Sequence, residues 1–412
     1  MKRNILFLLF LLIQLTIHTI VAQESGNLML DTDSIDNLIS DVDDTDYLTL
    51  GADRIETIKE ILQDKRIGLI VNQTSILTDT QVHLLDTLLA EGMNIKKVFA
   101  PEHGFRGTLE PGAHVESGID EKTGIPIVSV YGNNNRPTAA QMSDIDVLVF
   151  DIQDVGTRFY TFISTMHYLM DACAEYRKEF VVLDRPNPND YVDGPMRKSG
   201  FESFVGVDPI PVLHGLTIGE LAQMINGEGW LQAEQKQCKL TVVKMLNWKH
   251  GDLYTLPVSP SPNLPNQQAI RLYPSLCFFE GLYVSVGRGT DFPFQVLGCP
   301  DTRGGTFTFT PVVMPGFVVN PLHKNTLCYG IDLRNYPFEG GLSLQFVLDF
   351  YKRLGSDEKL FFTRANWFDL LAGNSTLRKQ IVMGFSEAEI RESWQPELDQ
   401  YKMMRQKYLL YP

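Results

Sequence analysis

Four short runs rich in Val, Ile, Leu and Phe constrain this chain more than any other feature. They are RIGLIVNQT, IKKVFAPEHG, DIDVLVFDIQDVG and EFVVLDRPNPND. Helix-like stretches precede or separate them: RIETIKEILQDK, HLLDTLLAEG and YTFISTMHYLMDACAEY. Apolar runs without alternation mark parallel strands buried on both faces. The expected fold class is α/β, an open parallel sheet, because the strand–helix alternation leaves helices on both faces. TIGELAQMING opens on a capping box, Thr217 with Glu220, and predicts a further helix. Past about residue 238 the pattern changes. There KLTVVKML and TFTFTPVVM alternate with loops such as PVSPSPNLPN and VGRGTDFPF, which predicts an α+β second domain.

The first residues suggest export. Lys2 and Arg3 precede the apolar run ILFLLFLLI, and Ala22 closes the segment before Gln23. That is a secretory signal pattern, too short and wrongly flanked for a stable membrane span. The expected location is the periplasm or outside the cell, in soluble form. Formal charge is −14, or −16 once Lys2 and Arg3 are removed, and seven aspartates crowd into LDTDSIDNLISDVDDTD. This run predicts a solvated linker, since it lacks the glycine and terminal glutamate of a calcium loop. The acidic balance argues against nucleic acid as a partner. The expected divisions are a signal peptide (1–22), an acidic linker (23–50), the open-sheet domain (51–235) and the α+β domain (236–412). Five scattered cysteines with no CxxC pair make neither a disulfide framework nor a supported nucleophile, and burial as small hydrophobes is expected.

In an open parallel sheet, ligands bind outside the carboxyl ends of the strands. The residues that follow the four runs are Asn72, Gln73 and Thr74; Glu102 and His103; Asp151, Gln153 and Asp154; and Asp184, Arg185 and Asn187. One polar strand end is an ordinary turn or cap, but four converging on one edge point to a site. Carboxylates crowded in a cleft repel one another, which leaves one protonated beside an ionised neighbour. Hydrolysis of an acetal needs that division. The sequence contains no GxGxxG after the first strand, no P-loop and no GxSxG elbow. His103, His114, His167 and His214 show no recognised metal spacing, so no metal or other cofactor is expected. His167, inside an apolar helix, reads as a structural histidine.

The residues also carry a family resemblance. GLIVNQTS, FAPEHGFRG, SGIDEKTGIPIVSVYG, DVLVFDIQDVGTRFYTFISTM, VVLDRPNPN, PIPVLHGLTIGELA, SPSPNLP and EGLYVSVGRGTDFPFQVLGCP run in order from about residue 67 to 300. In these motifs the chain resembles the exo-β-N-acetylmuramidases of the NamZ type, a family of peptidoglycan hexosaminidases. It departs at Asp190, where many relatives carry glycine. The resemblance implies a cleft between a Rossmann-like and an accessory domain. It also implies removal of N-acetylmuramic acid (MurNAc) from non-reducing ends of peptidoglycan fragments, with muropeptides or MurNAc–GlcNAc oligosaccharides as partners.

Within that frame Glu102 is the expected proton donor, held by Pro101 and followed by glycines that let a substrate approach the backbone. Asp151 is the expected second carboxylate, with Asp154 in reserve. His103 joins them in the catalytic set. Arg158 and Tyr160 would support Asp151, and Asn72, Gln73, Asp184, Asn187 and His214 would line the substrate. Arginine's planar fork suits the lactyl carboxylate of muramic acid. Arg288, between two glycines, is the expected partner, with Arg106 and Arg185 competing. The alternatives are a non-catalytic muropeptide-binding protein and a peptidoglycan deacetylase or esterase.

Overall fold

In the computed structural model the described residues are 47–102, 104–105, 117–132, 135–234 and 237–412. The expected signal peptide, most of the linker, His103, Arg106 and His114 lie outside them. The four apolar runs form β1 (Ile67–Val71), β2 (Ile95–Ala100), β5 (Val147–Asp151) and β6 (Glu179–Leu183). Short strands β3 (Gly118–Ile119) and β4 (Pro126–Ser129) fall between β2 and β5. A hairpin pairs β7 (Val192–Asp193) with β8 (Leu213–His214). The sheet is completed by β9 (Lys239–Val243), so it continues past residue 235.

Strand order is β3-β4-β2-β1-β5-β6-β9. All neighbours are parallel except the edge pair β3–β4. The chain builds outward from β1 through β2 to β4, returns to β5 on the other side, and continues to β6 and β9. This is the doubly wound arrangement, with its topological switch between β1 and β5.

Side chains alternate across the pleat, so each strand feeds two cores. Leu69, Val71, Val98, Val149 and Leu183 face one, covered by the helices Ile55–Leu62 and Leu84–Ala90. Ile70, Phe99, Phe150, Phe180 and Val182 face the other, covered by Phe162–Tyr176, Ile218–Gly227 and Gln267–Leu276. The second core runs on without a break into Phe278, Phe350, Phe368, Trp394 and Tyr401. Each fully buried phenylalanine contributes about 1.5–3 kcal/mol, which welds the C-terminal part to the sheet.

That C-terminal part holds a three-stranded antiparallel sheet of β10 (Val296–Cys299), β11 (Phe307–Phe309) and β12 (Cys328–Asp332), with β12 in the middle. Helices follow, ending in Glu387–Arg405, which opens on a Ser386–Glu389 capping box. This helix packs back on the β7–β8 hairpin. Arg391 Nη1 pairs with the Asp193 carboxylate at 2.8 and 2.6 Å, and Tyr401 Oη donates to the His214 carbonyl at 2.8 Å. All five cysteines are buried and unpaired. Among the described residues no helix is long and apolar enough to cross a membrane.

Candidate active site

A cavity of about 1050 Å³ opens beyond the C-terminal ends of β2, β4 and β5. Glu102, Tyr131 and Phe159–Phe162 reach it from the sheet; Glu280, Arg288, Lys324, Arg364 and Trp367 reach it from the C-terminal part. Glu102 sits in a turn closed by the Gly104 N–H on the Pro101 carbonyl at 3.0 Å, with Gly104 at φ +77°. A β-carbon disfavours that conformation, which explains the glycine. Tyr131 Oη donates to Glu102 Oε1 at 2.8 Å, and Thr161 Oγ1 to Oε2 at 2.5 Å. Thr161 is the N-cap residue of helix Phe162–Tyr176 but makes no side-chain cap, so its hydroxyl serves Glu102 instead.

Arg288 rises from a turn whose flanking glycines, Gly287 and Gly289, sit at φ +79° and +86°. A β-carbon on Gly289 would lie 2.6 Å from the Val312 carbonyl oxygen. Nε and Nη2 of Arg288 both donate to Glu280 Oε1, at 3.1 and 2.5 Å. Its guanidinium lies 5.1 Å from the Phe294 ring centre. Burial pulls the Arg288 pKa down, but the Glu280 charge and hydrogen bonds raise it further. The expected partner of a substrate carboxylate is thus held by a carboxylate of its own.

Tyr160 also lines the cavity and is 7% exposed. Burial raises its pKa well above the ordinary tyrosine value, and the charges of Asp154 and Glu102 add to the rise. Its hydroxyl meets no partner in hydrogen-bonding geometry, although Ser261 lies near enough to oppose the shift.

The other strand-end residues do not line the cavity, because they spend their polar atoms on one another. Asn72 Oδ1 accepts from Thr74 N and Oγ1 at 2.9 and 2.6 Å, and Thr74 Oγ1 accepts from Gln153 N at 3.0 Å. Ser75 Oγ donates to the Asp151 carbonyl. Gln73 Nε2 bonds the Ser259 and Pro260 carbonyls, both at 3.1 Å. Arg185 Nε and Nη2 grip the Asp151 carboxylate at 2.5 and 3.0 Å, with both residues buried. The crevice between β1 and β5 is therefore filled by protein, and the open space lies toward β2 and β4.

Asp154 Oδ2 accepts from Gly156 N at 2.6 Å, with His214 Nε2 3.7 Å away. Asn187 Nδ2 donates to the Leu216 carbonyl at 3.0 Å. Arg158, fully buried, donates to the carbonyls of Pro195, Ile210 and Leu371, each at 2.8 Å. Asp184 accepts from Gly219 N and Thr217 Oγ1 at 2.8 Å and from Tyr411 Oη at 2.6 Å. Burial raises its pKa to about 6, with those three donors opposing the rise. A protonatable carboxylate does exist at a strand end, but it faces the C-terminal tail. His167 Nδ1 lies 2.9 Å from Asp208 Oδ1 in the interior, out of line for a hydrogen bond.

Sequence reasoning missed Tyr131, Thr161, Glu280, Lys324, Arg364 and Trp367. Tyr131, next to last in IPIVSVYG, follows β4 and was reachable as a fifth strand end. Glu280 in CFFEG and Arg364 in TRANW carry no strand-end signal.

Two family models match the chain. One described as exo-beta-N-acetylmuramidase NamZ, N-terminal, matches residues 67–268, and its C-terminal counterpart matches 271–411. The chain is 40% identical over 378 residues to the peptidoglycan beta-N-acetylmuramidase NamZ of Bacillus subtilis (strain 168), covering 86% of this chain and 88% of that protein. Two crystal structures of DUF1343 family proteins from Bacteroides fragilis NCTC 9343 are similar. One is 44% identical with a TM-score of 0.81, covering 89% of this chain and 99% of that one. The other is 30% identical with a TM-score of 0.75 and the same coverage.

Proposed function

The chain belongs to the exo-beta-N-acetylmuramidase NamZ family and is a glycoside hydrolase; from that premise we propose that it releases MurNAc from non-reducing ends of peptidoglycan fragments, with Glu102 as proton donor. One observation carries the assignment of the acid. Of the strand-end carboxylates within the described residues, Glu102 is the one that lines the cavity. Its two oxygens are fixed by Tyr131 and Thr161, so the carboxyl is aimed before substrate arrives. When protonated, it donates toward the leaving glycosidic oxygen while Tyr131 goes on donating to Oε1.

Glu280 replaces Asp151 as the second carboxylate of the reaction. Asp151 is buried in its bidentate pair with Arg185, whereas Glu280 lines the cavity. Arg288 places both donors on Glu280 Oε1, leaving Oε2 for the sugar. There it stabilises the positive charge that develops at the anomeric carbon as the C–O bond breaks, until water adds to that carbon and its proton restores the Glu102 acid. Tyr131, Phe204 and Trp367 supply flat apolar walls for pyranose faces. The protein acts after export, in soluble form, and needs neither metal nor nucleotide.

The test is product analysis on the disaccharide MurNAc–GlcNAc with purified protein and EDTA present. Free MurNAc and GlcNAc are expected. Release of acetate with the glycosidic bond intact, or turnover only after a divalent ion is restored, would overturn the proposal.

A further inference from the structure

We propose that Arg364, with Lys324 lining the same cavity, is the group that selects a carboxylate on the sugar; this rests on the muramidase reading above. The two cations come from separate segments and line the same space as Glu102. Arg364 sits just before the helix Ala365–Ala372, with its guanidinium 5.3 Å from the Trp367 ring centre. Its Nη1 donates to the Glu280 carbonyl at 3.4 Å. Among the described residues no carboxylate pairs with Arg364 or with Lys324. A guanidinium lying on an indole keeps its edge N–H groups for a planar acceptor, and a carboxylate is the acceptor that matches the fork.

Neighbouring groups support the same ligand. Trp367 Nε1 is a buried donor with no partner, and Trp367 lines the cavity. His323, beside Lys324, donates Nε2 to the Tyr283 carbonyl at 2.6 Å; burial lowers its pKa, so it adds no competing charge near neutrality. The other cavity arginine, Arg288, already holds Glu280. Among the described residues the cavity thus offers two cations without carboxylate partners next to one arginine that has one.

The ligand class is a hexosamine bearing a carboxylate. That carboxylate has two sources, a free lactyl group on the sugar or an acidic residue of an attached peptide, and separate arms distinguish them. Calorimetric binding of MurNAc, GlcNAc and a MurNAc–dipeptide is measured on the full-length mature protein and on Arg364→Gln and Lys324→Gln, with melting temperature as a check on folding. Tighter binding of MurNAc than of GlcNAc is expected, with that preference reduced about tenfold or more in Arg364→Gln and less in Lys324→Gln. Arg364→Lys should recover part of it. If only the dipeptide form shows the preference, the carboxylate bound is the peptide's. A preference that survives both substitutions, or no preference in the unsubstituted protein, would overturn the proposal. Binding is read without turnover, so a protein that prefers MurNAc but cleaves nothing would refute the muramidase reading and leave this inference standing.

Discussion

The different partners of Arg185 and Arg288 underlie the proposed choice of Glu280 over Asp151 as the second carboxylate. Arg185 closes on Asp151 inside the protein, and Arg288 closes on Glu280 in the cavity. Sequence position could not separate them, since both are arginines beside turns and both have an acid within reach only after folding. Glu102 was legible because proline and glycine fix it at a strand end. Glu280 was not, because it lies in a short apolar helical turn that looks like core. Removing Arg288 should therefore act through Glu280. Arg288→Gln is expected to lower kcat/KM by about tenfold or more on MurNAc substrates and on their lactyl methyl esters alike. A loss confined to the free acid would return the carboxylate-binding role to Arg288.

At the level of elements, the last residues clasp the carboxyl edge of β6 and β9. Tyr411 Oη bridges Asp184 and the Met245 N–H, and Leu410 N donates to Glu220 Oε1 at 2.8 Å. His250 lies under this clasp, with Nδ1 2.9 Å from Asp190 and Nε2 3.0 Å from Glu220. Arg405 Nη2 stands 3.2 Å from Nδ1 as an opposing cation. Burial lowers the His250 pKa, but the hydrogen bonds and charges of Asp190 and Glu220 carry it up to about 9. A folded-state value above the ordinary 6.5 favours the folded form while the ring is charged. That stability is complete below pH 6.5 and is lost as pH rises through about 9. Asp184, at about 6, titrates below this window. Melting temperature is expected to fall from pH 6.5 to 9.5, and to fall less in His250→Gln. Parallel curves for the two proteins would contradict the assignment. None of this was legible in the sequence, because Tyr411 and His250 meet their partners Asp184, Asp190 and Glu220 only once the chain has folded. The parallel strands and their helices were legible, because burial on both faces leaves an unbroken apolar run.

For the molecule as a whole, Arg158 ties the parts that frame the cavity. Its three carbonyl partners come from the segments near β7 and β8 and from the helix that carries Trp367. Burial lowers its pKa to about 9, with Arg197 adding to the effect. Arg158→Lys cannot reach all three carbonyls and is expected to cost about 2–4 kcal/mol in denaturant unfolding. A change below about 0.5 kcal/mol, the range of neutral surface substitutions, would show that the tie is dispensable. The doubly wound sheet was legible in outline, but the filled crevice at its switch point was not. Strand-end polarity shows where partners could meet, and only the folded chain shows which pairs satisfy each other. Glu102 as the acid of a muramidase is tested by Glu102→Gln assayed on MurNAc–GlcNAc and on a nitrophenyl muraminide in one preparation. Turnover of the disaccharide should fall by ~10²–10⁴-fold, with a smaller loss in bond breaking for the nitrophenyl substrate and little change in melting temperature. Equal losses on both substrates, or a destabilised protein whose folded fraction keeps its activity, would contradict it.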